Sequence, residues 1–147
     1  MPKEQIVGLR ELQIKLRNMP EKVQKKVLRN AATLAVNPLV QEAKRSVPVS
    51  SRTYLAKTYR KKLIAPGFGK RSIAKKVKLY QDGKFAKAMV GVKPEAYYLL
   101  QFVERGTSYQ RKQPWLEPAY RKTRRAVLSR FQEVMRQKIL QSAKGKR

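Results

Sequence analysis

The sequence IAKKVKLYQDGKFAKAMVGV, residues 73–92, is the strongest indicator of architecture in this 147-residue chain. Asp82-Gly83 is typical of a two-residue hairpin turn between antiparallel strands. Counting outward from that turn places Leu79 opposite Ala86 and Lys78 opposite Lys87. One face of the predicted hairpin is then apolar and is expected to lie on the core: Ile73, Val77, Leu79, Ala86, Ala88, Val90 and Val92.

Helical patterns flank the hairpin. Apolar residues recur at helical spacing from Leu9 to Met19, and Pro20 opens a second helix that reaches Ser46. Pro38 predicts a kink or break inside that helix, because proline removes one backbone hydrogen bond. A final helix is predicted from Pro114 to Ser142. Its apolar stripe comprises Tyr120, Val127, Phe131, Val134, Met135 and Ile139.

These elements predict an α+β fold. A small antiparallel sheet is built on the β-hairpin and is packed by a long helix from the N-terminal half and a long C-terminal helix. The length suits a single domain over residues 1–147.

Some segments leave their secondary structure open. Residues 54–63 fit a helix or a strand, and so do residues 96–104. Gly and Pro predict a loop over 65–71, and the whole region 49–71 is a candidate mobile basic loop. Residues 5–7 fit a short strand, and residues 143–147 are expected to form a frayed basic tail.

The charge is the second informative property. The chain carries 36 Lys and Arg against 9 Asp and Glu, a net charge of +27, with no acid between Glu42 and Asp82. Such self-repulsion favours a polyanion or an acidic partner over a merely solvated basic surface. The residues expected to contact nucleic acid or an acidic partner are Lys61, Lys62, Lys70, Arg71, Lys76, Lys78 and Lys87.

Composition argues against an enzyme. With no Cys and no His, disulfides, thiolate metal sites and the commonest general base and nucleophile are excluded. The acids form no pair that suits a metal, and Glu42-Ala43-Lys44 is interpreted as a surface charge pair with Arg45. We therefore expect no catalytic residues, no metal and no cofactor. No apolar run approaches the ~20 residues of a membrane span, and no signal peptide is visible, which predicts the cytoplasm or a particle assembled there.

The stretch AYYLLQFVERGTSYQRKQPWLEPA, residues 96–119, contains the only Trp. Gly106 can adopt a positive φ, and Pro114 and Pro118 suit the first turn of a helix. Glu104 fits a catalytic, a capping or an ion-pairing role with Arg105 or Arg111, of which the structural roles are favoured. Trp115 fits stacking on a base, but packing is favoured for it and for the pair Tyr97-Tyr98.

This stretch resembles a family of minor tail-component, or tail-completion, proteins of long-tailed double-stranded-DNA bacteriophages. The resemblance extends to Gly8-Leu9, Glu11-Leu12 and the helical run 20–47, while residues 49–55 depart from the family's usual pattern. It implies a structural and assembly role for nine residues: Tyr97, Tyr98, Glu104, Gly106, Thr107, Pro114, Trp115, Leu116 and Pro118.

The resemblance also implies a function and partners. Family members sit at the neck of the virion, where they complete the tail and help to join it to the head around the DNA path. The expected partners are further copies of the chain in a ring, six-fold to match a tail tube, other tail and head-neck proteins, and double-stranded DNA bound without sequence preference. The alternative is a stand-alone nucleic-acid-binding protein, which charge alone favours.

Overall fold

The structure is a computed structural model that describes residues 8–56 and 62–145. Its fold class is α+β, as predicted: helices predominate, and the strands form two small two-stranded sheets. The elements in chain order are α1 Leu9–Arg17, α2 Glu21–Ala35, α3 Asn37–Ser46, β1 Tyr54–Ala56, β2 Lys62–Ile64, α4 Phe68–Arg71, β3 Ile73–Tyr80, β4 Phe85–Val92, α5 Pro94–Arg105 and α6 Leu116–Lys144.

The chain forms two compact units, each built from separate segments. The first unit comprises residues 1–38, 75–89 and 124–147, and the second comprises 39–74 and 90–123. The chain therefore passes between the units repeatedly, and the prediction of a single domain stays a prediction.

The core of the first unit is a helical layer closed by the hairpin. Buried side chains of α1, α2 and α6 meet there, and Leu79 and Ala86 of the hairpin pack against them. Leu79 and Ala86 thus both lie on the face that packs against the core, in agreement with the predicted alternation. A hydrogen bond also links the hairpin to α2. Lys75 Nζ donates to the carbonyl of Thr33 at the carboxyl end of α2, over a distance of 3.0 Å. The buried residues of the cluster are Leu12, Val27, Leu28, Ala31, Val134, Met135 and Ile139.

The hairpin is confirmed, but its turn is longer than expected. The strands end at Tyr80 and restart at Phe85, so four residues connect them instead of Asp82-Gly83 alone. Gln81 and Asp82 adopt left-handed conformations with φ of 49° and 53°, which a polar residue tolerates better than a β-branched one. The expected core position of Ala88 is wrong, because Ala88 is exposed and lines an open cleft with Val36 and Leu128.

The second unit contains strands β1 and β2 and the short helix α4. β1 and β2 pair antiparallel, with Tyr54 opposite Ile64 and Ala56 opposite Lys62. The predicted loop over 65–71 is wrong in its second half, because residues 68–71 form the short helix α4. Gly67 precedes this helix with φ 77° and supplies the left-handed turn into it. Residues 57–61, at the centre of the predicted mobile loop, lie outside the described residues.

The helix bounds around Pro38 agree with the predicted break. α2 ends at Ala35 and α3 begins at Asn37, so Pro38 lies in the first turn of a new helix, where its missing N–H is harmless. Residues 96–104, for which helix and strand were both open, belong to helix α5. The predicted strand over residues 5–7 lies outside the described residues.

The last helix corrects three expectations. α6 begins at Leu116, two residues after Pro114, and only Pro118 lies in its first turn. Tyr120 is 51% exposed rather than part of the apolar stripe. Steps of four residues back from Val127 reach Thr123 and Ala119, which are buried. Seven residues of a helix turn through about 700°, so Tyr120 lies within about 20° of Val127 on the helix surface. Its exposure therefore reflects what covers that face and not the periodicity of the sequence. The helix continues to Lys144, two residues beyond the predicted end at Ser142, so it includes the first two residues of the tail expected to fray. Residues 146–147 of that tail lie outside the described residues.

Candidate nucleic-acid and assembly interface

Glu104 caps the amino end of α6. Its Oε2 accepts the backbone N–H groups of Trp115 at 2.6 Å and Leu116 at 3.1 Å, and its Oε1 accepts that of Glu117 at 3.2 Å. The first N–H groups of a helix have no partner within the helix, and a carboxylate there also favours the helix dipole. Of the three roles left open for Glu104, the structure selects capping.

Gly106 allows the chain to leave α5 and turn back. Its φ is 77° and its ψ is 172°, a conformation that is essentially limited to glycine. A Cβ at this position would lie 2.8 Å from the backbone nitrogen of Lys112. The positive φ predicted for Gly106 is confirmed, and the close approach explains why a side chain cannot be accommodated there.

The loop after Gly106 is held by its own hydrogen bonds. Thr107 donates its N–H to the carbonyl of Gln110 at 2.9 Å, and its Oγ1 accepts the N–H groups of Tyr109 and Gln110 at 3.2 and 3.0 Å. Gln113 then donates to the carbonyl of Val103 at 2.8 Å. The loop is thus a defined structure that returns the chain to the end of α5.

Trp115 is buried, with 2% of its surface exposed. Its indole N–H has no hydrogen-bond partner among the described residues. Because the ring is enclosed, Trp115 does not present a face to a nucleic-acid base, and the favoured packing role is confirmed. Leu116, next to it, is partly buried at the start of α6.

Tyr97 and Tyr98 differ from expectation. Both were expected to pack, but Tyr97 is 56% exposed and Tyr98 is also exposed. The reason is the helix: in α5, Ala96 and Leu100 form the buried side, and a residue adjacent to Ala96 points in another direction. The rings of Tyr98 and Phe102 lie nearly perpendicular to each other, with ring centres 4.6 Å apart.

Three lysines of the predicted contact set lie on the hairpin. Lys76 and Lys78 are in β3, Lys87 is in β4, and all three are exposed. Lys76 and Lys78 are two residues apart in one strand and therefore share a face of the sheet. The structure thus presents these cations to solvent on a two-stranded sheet of the first unit. That Lys78 lies opposite Lys87 stays a prediction.

The remaining cations of that set belong to the second unit. Lys70 and Arg71 are exposed on α4, and an Arg71 guanidinium N–H donates to the carbonyl of Pro66 at 3.1 Å. Lys62 is in strand β2, and Lys61 lies outside the described residues. The predicted set is therefore divided between the two units.

Two adjoining clefts lie beside the hairpin in the first unit. One has a volume of about 490 Å³ and the other about 300 Å³, and both are lined by Leu28, Lys84, Phe85 and Phe131. Phe85 is 58% exposed at their boundary. Large exposed apolar side chains beside a cleft are typical of surfaces that contact other molecules.

In the second unit, Glu42 forms ion pairs with two cations, Lys122 and Arg45. Its carboxylate lies 2.8 Å from Lys122 Nζ and 3.6 Å from an Arg45 guanidinium nitrogen. The hydrogen bond from Lys122, together with the positive charges of Lys122 and Arg45, holds the pKa of Glu42 below its usual range. The predicted ion pair of Glu42 with Arg45 is confirmed, although Lys122 is the closer partner and the Glu42 side chain is only 14% exposed.

Within residues 8–56 and 62–145, no group of acids is placed to hold a metal ion. Over the same part of the chain, none of the helices combines the length and apolar character that crossing a membrane requires. Sequence reasoning missed two exposed residues of interest, Tyr109 and Phe85. The signal for Tyr109 was present, because it is the sole aromatic among Ser, Gln, Arg and Lys neighbours.

Comparison of the chain with protein-family models, with curated proteins and with solved structures finds no match in any of the three. Its function is therefore inferred from its own residues.

Proposed function

We propose that this protein is a structural component of the neck or tail end of a long-tailed double-stranded-DNA bacteriophage. It completes the tail and helps to join it to the head around the DNA path. In this role it acts by contact and not by catalysis, without a cofactor, and it is located in the virion after assembly in the host cytoplasm.

The observation that carries the proposal is the construction of residues 96–119. These residues carry the resemblance to tail-completion proteins, and their geometry is that of a rigid joint: Glu104 caps α6, Gly106 makes the turn, and Trp115 is enclosed. A protein that only binds polyanions through its charge does not need such a joint, whereas one that transmits contacts through an assembly benefits from it.

The charge distribution supports proximity to DNA. Phosphate contacts supply sequence-independent affinity, and exposed Lys76, Lys78 and Lys87 on the hairpin suit such contacts. Among the described elements, no helix carries a pattern that resembles base reading in a groove. We therefore expect binding to duplex DNA without sequence preference.

The clefts beside Phe85 support contacts with other proteins. Their linings include the cations Arg17 and Lys84 and no acid. We propose that the chain assembles with copies of itself into a closed ring, six-fold to match a tail tube, and contacts other tail and head-neck proteins. Because like chains of +27 repel, assembly requires salt, DNA or an acidic neighbour.

The test is genetic and microscopic. The gene should lie among capsid and tail genes, and a phage that lacks it should produce filled heads and tails that remain unjoined under the electron microscope. Supplying the protein in trans should restore joined particles. Normal particles in the absence of the gene would exclude a neck role.

The alternative is a stand-alone nucleic-acid-binding protein, which the exposed cations on the hairpin favour. Such a protein would remain with the nucleoid or with RNA after cell lysis and would be absent from purified particles. Quantifying the protein in purified virions by mass spectrometry separates the two, because a neck ring requires a fixed number of copies per particle.

A further inference from the structure

Tyr109 is the most exposed of the large hydrophobic side chains that the structure describes. It is 100% exposed, so its ring lies outside the packed parts of the protein. A fully exposed ring contributes little packing energy to the folded chain, and both of its faces are open to contact with another molecule.

The ring is nevertheless held in a defined place. The backbone N–H of Tyr109 donates to Thr107 Oγ1, and the ends of the loop are tied by the bond from Gln113 to the carbonyl of Val103. Gly106 fixes the start of the loop by its positive φ. An exposed group on a pre-ordered loop binds without the entropic cost of ordering a flexible segment.

The surroundings of Tyr109 are cationic. Arg105, Arg111 and Lys112 are exposed, and none of the three forms an ion pair within the described parts of the chain. The two nearest acids along the chain are already engaged: Glu104 in the cap of α6, and Glu117 with Arg121. The loop therefore combines one free aromatic ring with uncompensated positive charge.

We propose that the loop 107–112 is a stacking site for an unpaired base of single-stranded nucleic acid. Tyr109 supplies the ring face, while Arg111 and Lys112 contact the phosphates on either side. Proteins that bind single strands commonly place an aromatic ring among cationic side chains, so that the ring stacks on a base while the cations attract the phosphates of the nucleic-acid backbone. A protein partner is less well matched, because the residues around Tyr109 are polar or charged and offer no apolar cluster.

This site is distinct from the duplex-binding hairpin and does not depend on the proposed role in the virion. A base within a duplex is stacked on its neighbours and cannot be covered by Tyr109 without being unpaired. The two activities therefore separate by substrate: the loop discriminates single strands, and the hairpin lysines bind either form through phosphate.

The test uses the full chain and a fluorescently labelled oligothymidylate of about 12 nucleotides, a length within the usual site sizes of single-strand binders. Tyr109→Ala should weaken binding by about 5- to 100-fold, the range that loss of one base–aromatic stack produces. The slope of log affinity against log salt should not change, because no phosphate contact is lost. Tyr109→Phe, which keeps the ring, should bind as the unaltered chain does.

Two controls make the outcome specific. Tyr97→Ala removes another exposed tyrosine, one with no cation adjacent in the sequence, and should leave binding unchanged. Binding of Tyr109→Ala to a duplex of the same length should equal that of the unaltered chain. Because the ring lies outside the packed parts of the protein, the variant should fold, and circular dichroism verifies that it does.

Photo-cross-linking gives a second readout. An oligonucleotide that contains bromodeoxyuridine should cross-link at Tyr109, and peptide mapping identifies the residue. Equal single-strand affinity of Tyr109→Ala and the unaltered chain, or an equal loss on duplex, would overturn the proposal. In the first case the ring would be assigned to a protein contact.

Discussion

Glu104 Oε2 accepts the backbone N–H of Trp115 at 2.6 Å, across eleven positions of sequence. A carboxylate on the last turn of one helix thus caps the first turn of the next. The loop between them is closed by this bond and by the bond from Gln113 to Val103. Within the second unit, this side chain and that backbone bond together tie the amino end of α6 to the carboxyl end of α5.

Replacing Glu104 should destabilise the protein. Glu104→Ala leaves three N–H groups without their acceptor, and we expect a loss of about 1–2 kcal/mol in the free energy of unfolding. Glu104→Gln should lose less, because its side-chain carbonyl still accepts. Urea denaturation measures both. Glu133→Ala, which removes an exposed carboxylate of α6, is the control and should change stability by about 0.5 kcal/mol or less.

Gly106→Ala should be more harmful than an ordinary glycine substitution. Its φ of 77° and the approach of the Lys112 nitrogen to 2.8 Å predict a loss of about 1–3 kcal/mol. Gly91→Ala is the matched control, because no atom lies within 4 Å of the added Cβ. That variant should be neutral or slightly more stable. Equal thermal midpoints for the two variants would contradict the strain assigned to Gly106.

The protein should become less stable as the solution is made acidic, in part because Glu42 takes up a proton. Its pKa is lowered in the folded chain, chiefly by the hydrogen bond from Lys122. In the unfolded chain, a glutamate takes up its proton near its usual pKa of about 4.3. The stabilising contribution is therefore complete above that value and is lost as the pH falls through the lower folded pKa.

Glu42→Gln should accordingly be less stable than the unaltered chain at neutral pH, and the difference should shrink as the solution is acidified. Unfolding by urea over a series of pH values measures the effect. Lys122→Met should reproduce it, and Glu133→Gln controls for the loss of one negative charge from a strongly basic chain. A difference that is constant with pH would contradict the assignment to this ion pair.

Removing the hairpin lysines should lower the salt dependence of duplex binding. Each lost phosphate contact reduces the slope of log affinity against log salt by about 0.9. Lys76, Lys78 and Lys87 are changed together to Gln and compared with a second triple variant of equal charge, in which exposed Lys22, Lys26 and Lys144 are changed. If the slope falls by the same amount in both variants, the hairpin lysines contact phosphate no more than other exposed lysines do.

Self-association should depend on salt. At 0.1 M ionic strength the Debye length is about 10 Å, and at 1 M it is about 3 Å, so repulsion between chains of +27 is screened only at high salt. Sedimentation velocity of the pure protein should show monomers or small oligomers at low salt. Larger species should appear when salt, duplex DNA or an acidic partner is added. A stable ring at low salt with no polyanion would contradict the electrostatic part of the proposal.

Several features could be predicted from sequence because their causes are local. Pro38 separates α2 from α3 wherever the helix lies, since the missing N–H is a property of the residue. The hairpin and its Leu79–Ala86 face follow from alternation and turn chemistry, and the positive φ of Gly106 follows from the absence of a Cβ. The α+β class and the excess of positive charge were determined at this level.

Other features required the tertiary structure, because they depend on which residues meet across long separations. Local sequence offered Glu104 three roles, and only the return of the chain to place Trp115 beside it selects capping. Exposure is likewise a property of the fold: Trp115 is enclosed while Tyr109, six positions earlier, is fully exposed. Helical and strand periodicity shows which residues share a face, but what covers that face is decided by packing. For that reason Tyr120 and Ala88, expected in the core, are exposed.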